Sequence, residues 1–289
     1  MFVNMVVIRG KVPKLIVFLL LCVMFSCNQT EYPKLSLSDS IQYNHGQIVW
    51  HDLITPNPKQ AMDFYSNLFG WTYKSLGKGD MAYHVIYRGD NAIGGIIPLN
   101  VTTHPSGEWL SSVSVPDVDK AVKYNTFRGG KTLFKPADFK GRGRSALVQD
   151  PQGAYIAYIY SESGDPKFQL ADNSWLWNEL WTNDIDGSLA YYKGVAPYEA
   201  TEIEEEKVPY FMMKSGDQKL CGVMKNPVNN MRSAWLPYIK VSNVESVSKK
   251  AASLGAKIML KPQDNIRNGA VAIIQDPNGA PFAIQVWNQ

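Results

Sequence analysis

Two carboxylates occupy matched places in this chain. Asp52 lies in "WHDLITPNPKQAMDFYSNLFGW" (from Trp50) and Glu179 in "WNELWTNDIDGSLAYYKGVAPY" (from Trp177), each two residues beyond a tryptophan. Residues i and i+2 of a strand share a face, so each acid stands beside an indole. In a half-closed cavity such a carboxyl is desolvated, its pKa rises, and it could serve as general acid or base. The same placement suits a ligand anchor, or a buried acceptor for backbone and tyrosine groups, and the sequence leaves all three open. Lys240, two residues past Tyr238, could pair with Glu179. Arg144, in "KGRGRSALV", could clamp an anionic ligand from the cavity rim. Lys140, Arg142 and Arg144 in that Gly-rich loop also suit an ordinary solvated loop. No G-x-S-x-G elbow, Walker loop or dinucleotide fingerprint occurs, so no cofactor is implied. Cys221 reads as a small buried hydrophobe.

The elements that position these residues are repeated. "WLSSVSVPDVDKAV" from Trp109 returns as "WLPYIKVSNVESVS" from Trp235, and "ALVQDPQGAYIAYI" from Ala146 returns as "AIIQDPNGAPFAIQ" from Ala272. Two homologous domains follow, residues 46–162 and 172–289, joined by a linker at 163–171. Each divides again into halves that read βαβββ. The first helix has Asn57 as N-cap, Pro58 at its first position, apolar residues at helical spacing and Gly70 as its stop; Asp117 and Asn243 cap two others. Short alternating runs bounded by Gly, Pro or Asp-Pro turns supply the strands. The fold class expected is α+β: two homologous domains, each a pair of βαβββ modules forming a cupped, barrel-like sheet.

Strand alternation selects the inward-facing side chains: Trp50 and Asp52, Trp177 and Glu179, Leu110 and Ser112, Leu236, Tyr238 and Lys240, and Gln285 on the last strand. Aromatic and apolar walls with a few polar groups make a small-molecule pocket. The residues expected to touch a ligand are Trp50, Asp52, Arg144, Trp177, Glu179, Tyr238, Lys240 and Gln285.

The pattern D-x-x-x-A-x-x-F-Y-x-x-L-F-G-W after a strand, with two terminal Asp-Pro-x-Gly-Ala strands, resembles the vicinal oxygen chelate superfamily. That group includes glyoxalase I, bleomycin-resistance proteins, fosfomycin-resistance enzymes and extradiol dioxygenases. The resemblance implies a cavity in which enzymes of the family hold a divalent metal through His, Gln or Glu. Counted from Tyr65 and Tyr192, the first ligand position falls on Trp50 and Trp177. The others fall on Leu110 and Leu236, on Ala157 and Ala283, and near "IGGII". None of these side chains ligates a divalent ion, so no metal is expected. His51 lies one residue off the ligand position, hence on the opposite strand face, and is expected at the surface or packed on a helix.

The N-terminus reads as an export signal. Arg9, Lys11 and Lys14 precede the apolar run "LIVFLLLCVMF", too short for a membrane span, and "MFSC" resembles a bacterial lipobox. Residues 1–26 are therefore expected to be removed, Cys27 to be lipidated and residues 27–45 to form a tether. The 29 basic and 26 acidic residues balance once the three leader cations are set aside, which removes the case for a nucleic-acid partner. The function expected is an exported, lipid-anchored protein of a bacterial membrane that binds a small, partly aromatic or hydrophobic molecule without metal. The alternatives are a metal-independent lyase, isomerase or hydrolase using Asp52 or Glu179, and a structural module whose cavities its own side chains fill.

Overall fold

A computed structural model describes residues 30–99, 106–167, 169–204, 208–228 and 231–287. The leader and Cys27 lie outside the described residues. Sixteen strands form two eight-stranded sheets. The first module runs β1 (Ile48–Thr55), α1 (Pro58–Phe69), β2 (Thr72–Leu76), β3 (Tyr83–Arg88) and β4 (Asn91–Pro98). The second runs β5 (Glu108–Ser114), α2 (Val118–Phe127), β6 (Lys131–Phe139), β7 (Gly143–Gln149) and β8 (Tyr155–Ser161). The third comprises β9 (Trp175–Thr182), α3 (Ile185–Tyr192), β10 (Glu199–Glu202), β11 (Tyr210–Ser215) and β12 (Gln218–Lys225). The fourth comprises β13 (Ala234–Lys240), α4 (Val244–Ser253), β14 (Lys257–Leu260), β15 (Val271–Gln275) and β16 (Pro281–Gln285).

Each first strand pairs in parallel with the last strand of its own module, because the helix carries the chain back over one face of the sheet. The two modules of a domain join through their first strands, β1 against β5 and β9 against β13, both antiparallel. The strand order is therefore β2-β3-β4-β1-β5-β8-β7-β6, and the second domain repeats it. Helix starts follow the sequence: Asn57, Asp117, Asp184 and Asn243 each accept a backbone N–H of the first turn. Gly70 closes α1 in the left-handed conformation, φ 74°.

Apolar side chains sort into two kinds of layer. One kind lies inside each cup and belongs to one domain: Trp50, Tyr83, Leu110, Phe134 and Ile159 in the first, Leu236, Tyr238 and Ala283 in the second. The other kind lies between the domains. Phe64, Tyr65 and Trp71 of the first module share a core with Ile239, Val244 and Phe282 of the fourth. Val113, Val118 and Val122 of the second share one with Leu189, Tyr192 and Val223 of the third. The apolar faces of the helices thus pack into the layer between the two sheets, behind the cups.

Reciprocal hydrogen bonds hold this middle layer. Tyr65 donates to Asp276 Oδ2 at 3.1 Å and accepts from Trp109 Nε1 at 2.9 Å. In mirror fashion Tyr192 donates to Asp150 Oδ2 at 2.8 Å and accepts from Trp235 Nε1 at 2.9 Å. Both aspartates begin the Asp-Pro-x-Gly-Ala turns, and their other oxygens accept the backbone N–H of Ala154 and Ala280. One carboxylate therefore closes its own turn and receives the tyrosine of the opposite domain. Burial raises the pKa of both aspartates, Asp276 to about 6, while these donors work the other way.

His51 is not at the surface. It sits on the back face of β1, as the alternation requires, but is 2% exposed within this middle layer. Its ring stacks on Trp175 of the second domain at 4.0 Å, and Nε2 meets Oδ1 of Asn178, its counterpart in the repeat, at 2.9 Å. The docking of one domain on the other covers it, which one strand's alternation could not reveal.

The stretch expected to be a tether packs on the first domain from residue 32 onward. Tyr32 N–H bonds the Lys140 carbonyl at 2.9 Å, Leu35 is buried in the first cup with its N–H on Ser163 Oγ, and Asn44 N–H bonds Asp165. Its few apolar side chains decide this, since Leu35 and Tyr32 both find apolar neighbours at the cup.

Burial drives the His51 pKa down to about 4, and Nδ1 has no hydrogen-bond partner to receive a second proton. The folded state therefore binds fewer protons than the unfolded chain between pH 6.5 and 4. Stability should fall by roughly 3 kcal/mol as pH drops through that window. Urea melts of the wild type and His51→Gln across pH 7 to 4 check this. Equal slopes in the two proteins, or an imidazole titrating near 6.5 by NMR, would remove the argument.

Candidate ligand cavity

Trp50 and Asp52 come from β1, Tyr83 from β3, Leu110 and Ser112 from β5, and Ala157 and Ile159 from β8. All converge inside the first cup because they share the face opposite His51. Asp52 Oδ1 accepts from Trp50 Nε1 at 3.0 Å and from the Tyr83 hydroxyl at 2.7 Å. Trp50 Nε1 also lies 3.2 Å from that hydroxyl, so three polar atoms form one buried triangle. Gly95, paired with Asp52 across the sheet, makes room for it: a Cβ there would overlap the Tyr83 hydroxyl and Asp52 Oδ1. Burial raises the Asp52 pKa, while Arg142, Tyr83 and Trp50 pull it back.

Beside this triangle is a cavity of about 60 Å³, lined among others by Tyr32, Asp52, Tyr83, Leu110, Phe134 and Arg142. Its free space holds a few waters. Arg142, 6% exposed, lies with its guanidinium carbon 4.0 Å from the centre of the Trp50 ring. Its Nε and Nη2 have no hydrogen-bond partner among the described residues. The charge is held by an aromatic face rather than by an acid.

The second cup contains the same parts, differently connected. Glu179, 1% exposed, accepts from Tyr210 at 3.0 Å, from Trp181 Nε1 at 3.3 Å and from the Tyr238 hydroxyl, and its Oε1 pairs with Arg267 Nη2. Trp177 Nε1 donates to Tyr210 at 3.0 Å. Arg267 also reaches Gln285 Oε1 at 3.3 Å, and it lies 5.5 Å from the Tyr210 ring and 5.6 Å from the Tyr238 ring. Burial weakens the Arg267 charge, yet Glu179 and the two tyrosines outweigh it and raise its pKa. The extra methylene of Glu179 lets the acid reach its arginine. Asp52 is shorter, and Arg142 acts on it only through the field.

Trp50, Asp52, Trp177, Glu179, Tyr238 and Gln285 thus all face the cups. Two residues expected to reach a ligand are engaged elsewhere. Arg144 points to the surface, where Nε and Nη2 grip both oxygens of Asp119 at 2.6 and 3.0 Å and Nη1 meets Asp138 at 2.9 Å. It is the first cation inside β7, and the strand turns it away from the cup. Lys240 pairs with Asp172 instead of Glu179. Asp172 lies in the segment just before β9, within reach of Lys240, and Arg267 already occupies Glu179. Sequence reasoning missed Arg142 and Arg267 as cup residues, although their loops precede equivalent strands. It also missed Tyr83 and Tyr210, which occur at the repeat spacing together with Gly95 and Gly222 and could have been found from it.

Residues 46–158 match the model of the Glyoxalase/Bleomycin resistance protein/Dioxygenase superfamily. The chain is 28% identical over 259 residues to the provisionally named glyoxylase CFP32 of Mycobacterium tuberculosis, covering 84% of this chain and 95% of that one. It is 25% identical over 258 residues to the anthracycline biosynthesis protein DnrV of Streptomyces peucetius, at 83% and 92% coverage. Among solved structures it resembles an extradiol ring-cleaving dioxygenase from B. fuscum, with a TM-score of 0.60, 14% identity, and 90% and 75% coverage. It also resembles the 2,3-dioxygenase LapB from Pseudomonas sp. KL28, with a TM-score of 0.57, 11% identity, and 84% and 93% coverage.

The different wiring of the cups should be measurable as stability. Glu179→Gln leaves the buried Arg267 without its acid and should cost about 3–5 kcal/mol. Asp52→Asn keeps an acceptor for Trp50 and Tyr83 and removes a carboxyl that burial disfavours, so it should cost less than about 1 kcal/mol. Denaturant unfolding of both variants decides; comparable losses would mean that the two acids do the same structural work.

Proposed function

We propose that this chain, a tandem-domain member of the Glyoxalase/Bleomycin resistance protein/Dioxygenase superfamily, binds a small apolar or partly aromatic molecule in the cup of its first domain, without a metal. The observation that carries this reading is the contrast between the cups. In the second, Glu179, Arg267, Gln285 and two tyrosines satisfy one another. In the first, a cavity with apolar walls remains beside Asp52 and Arg142. The relatives named for anthracycline biosynthesis are in keeping with a ligand that carries aromatic rings. Entry requires the half-buried outer wall, Tyr32 and Phe139, to swing aside.

The residues present do not fit the divalent ion of the family's enzymes. At the matched positions of the first cup, Trp50 offers an N–H already given to Asp52 and Tyr83, while Leu110 and Ala157 are hydrocarbon. Arg142 places a fixed positive charge over Trp50, where a second cation would be repelled. Among the described residues, no three His, Cys, Asp or Glu side chains gather as a ligand set. We further propose that the leader exports the chain and that a lipid on Cys27 anchors it to a bacterial membrane.

A second reading rests on Asp52. Burial raises its pKa, and it abuts the cavity, the setting in which a carboxyl exchanges protons with a bound substrate. Activity abolished in Asp52→Asn, with ligand affinity retained, would favour this role over simple binding.

Metal content and binding test the main reading together. After incubation with Zn²⁺, Fe²⁺, Mn²⁺ and Ni²⁺ and desalting, mass spectrometry should find far less than one metal per chain. Aromatic ligands should quench tryptophan fluorescence in the wild type and lose affinity in Leu110→Trp, which fills the first cup. One tightly held metal per chain, or unchanged binding in the filled variant, would overturn the proposal.

A further inference from the structure

Arg142 stands apart among the arginines of this chain. Arg144 is two residues away on the surface, and its Nε and Nη2 form the side-on edge of the guanidinium that meets both oxygens of Asp119. Arg267 is spent on Glu179 and Gln285. Arg232 is paired with Glu108. Arg142 lines the cavity, and its own Nε–Nη2 edge is buried and has no hydrogen-bond partner among the described residues. Guanidinium N–H groups withdrawn from water and left unpaired are costly, and the Trp50 face compensates the charge without satisfying the donors. A carboxylate is the group whose two oxygens match that edge.

We propose that the first cup takes a small monocarboxylate with an apolar body, its two oxygens on Nε and Nη2 of Arg142 and its hydrocarbon against Leu110, Phe134 and Ile159. The inference rests on the ligand-binding reading above and names its substrate class. No hydrogen bond or ion pair joins Asp52 to the arginine, and its Oδ1 accepts from Trp50 and Tyr83 instead. The second cup excludes such a ligand, since Glu179 already plays the carboxylate's part for Arg267.

The test is isothermal titration of the purified protein with benzoate and isobutyrate beside their neutral isosteres, benzamide and isobutyramide. The acids should bind at least ten-fold more tightly than the amides. Arg142→Gln should bring the acids down to the level of the amides. Arg142→Lys, which keeps the charge and loses the fork, should fall between, and Arg144→Gln should bind as the wild type does. Amides binding as well as acids, or Arg142→Gln binding acids normally, would overturn carboxylate recognition while leaving a ligand cavity in place. Binding of neither acids nor amides would remove both proposals. Should Arg142→Gln fail to fold, the preference of the wild type for acid over amide still decides.

Discussion

The fold depends on a tyrosine of each domain reaching an aspartate of the other. Asp150 and Asp276 must be where they are to close their own turns, so the groups that receive Tyr192 and Tyr65 are fixed by local backbone geometry. The donors are fixed as well, each by an indole N–H on its hydroxyl. Two rigid ends leave one relative placement of the domains. Because the pairs occupy the middle layer with the helices, both concave faces are left for other uses.

Those faces have diverged through small changes. Each cup contains a carboxylate, a tyrosine over a glycine, a tryptophan and an arginine. One methylene and a shift in the arginine's place in its loop separate a closed network from one with free donors. Arg267 adopts a left-handed backbone conformation, φ 45°, to serve the second cup. In the first domain the residue at the corresponding place is Gly141, φ 84°, pressed against the Tyr32 carbonyl where a side chain would clash. The arginine comes one residue later. The N-terminal segment and the altered cup are thus two aspects of one arrangement.

Much of this was legible in the sequence, because repetition and alternation are physical rules with few exceptions. The fourfold βαβββ pattern follows from the repeats, and the face that Trp50 shares with Asp52 and Trp177 with Glu179, and the reversed face of His51, follow from period two along a strand. Loops obey no such rule: Arg142 lies just before β7, and nothing in "KGRGRSALV" says which of its cations turns inward. Lys240 went astray because its partner, Asp172, belongs to a segment outside the strands, where alternation says nothing. The burial of His51 and the docking of residues 32–45 depend on surfaces that meet only after the chain has folded.

The reciprocal pairs look equivalent in the finished molecule, but they are not equivalent to the ribosome. Tyr192 and Asp150 are 42 residues apart in the chain, Tyr65 and Asp276 are 211. Closing the longer loop costs about 1.4 kcal/mol more in chain entropy, and its acceptor is the last of the four groups to be made. The seam between the second and third modules can therefore close while synthesis continues, whereas the seam between the first and fourth waits for β16, which delivers Phe282 and Ile284 to its core. Until then α1 has an uncovered apolar flank. The strand β16 is the latch of the whole assembly, and losing it would leave the first module folded against nothing.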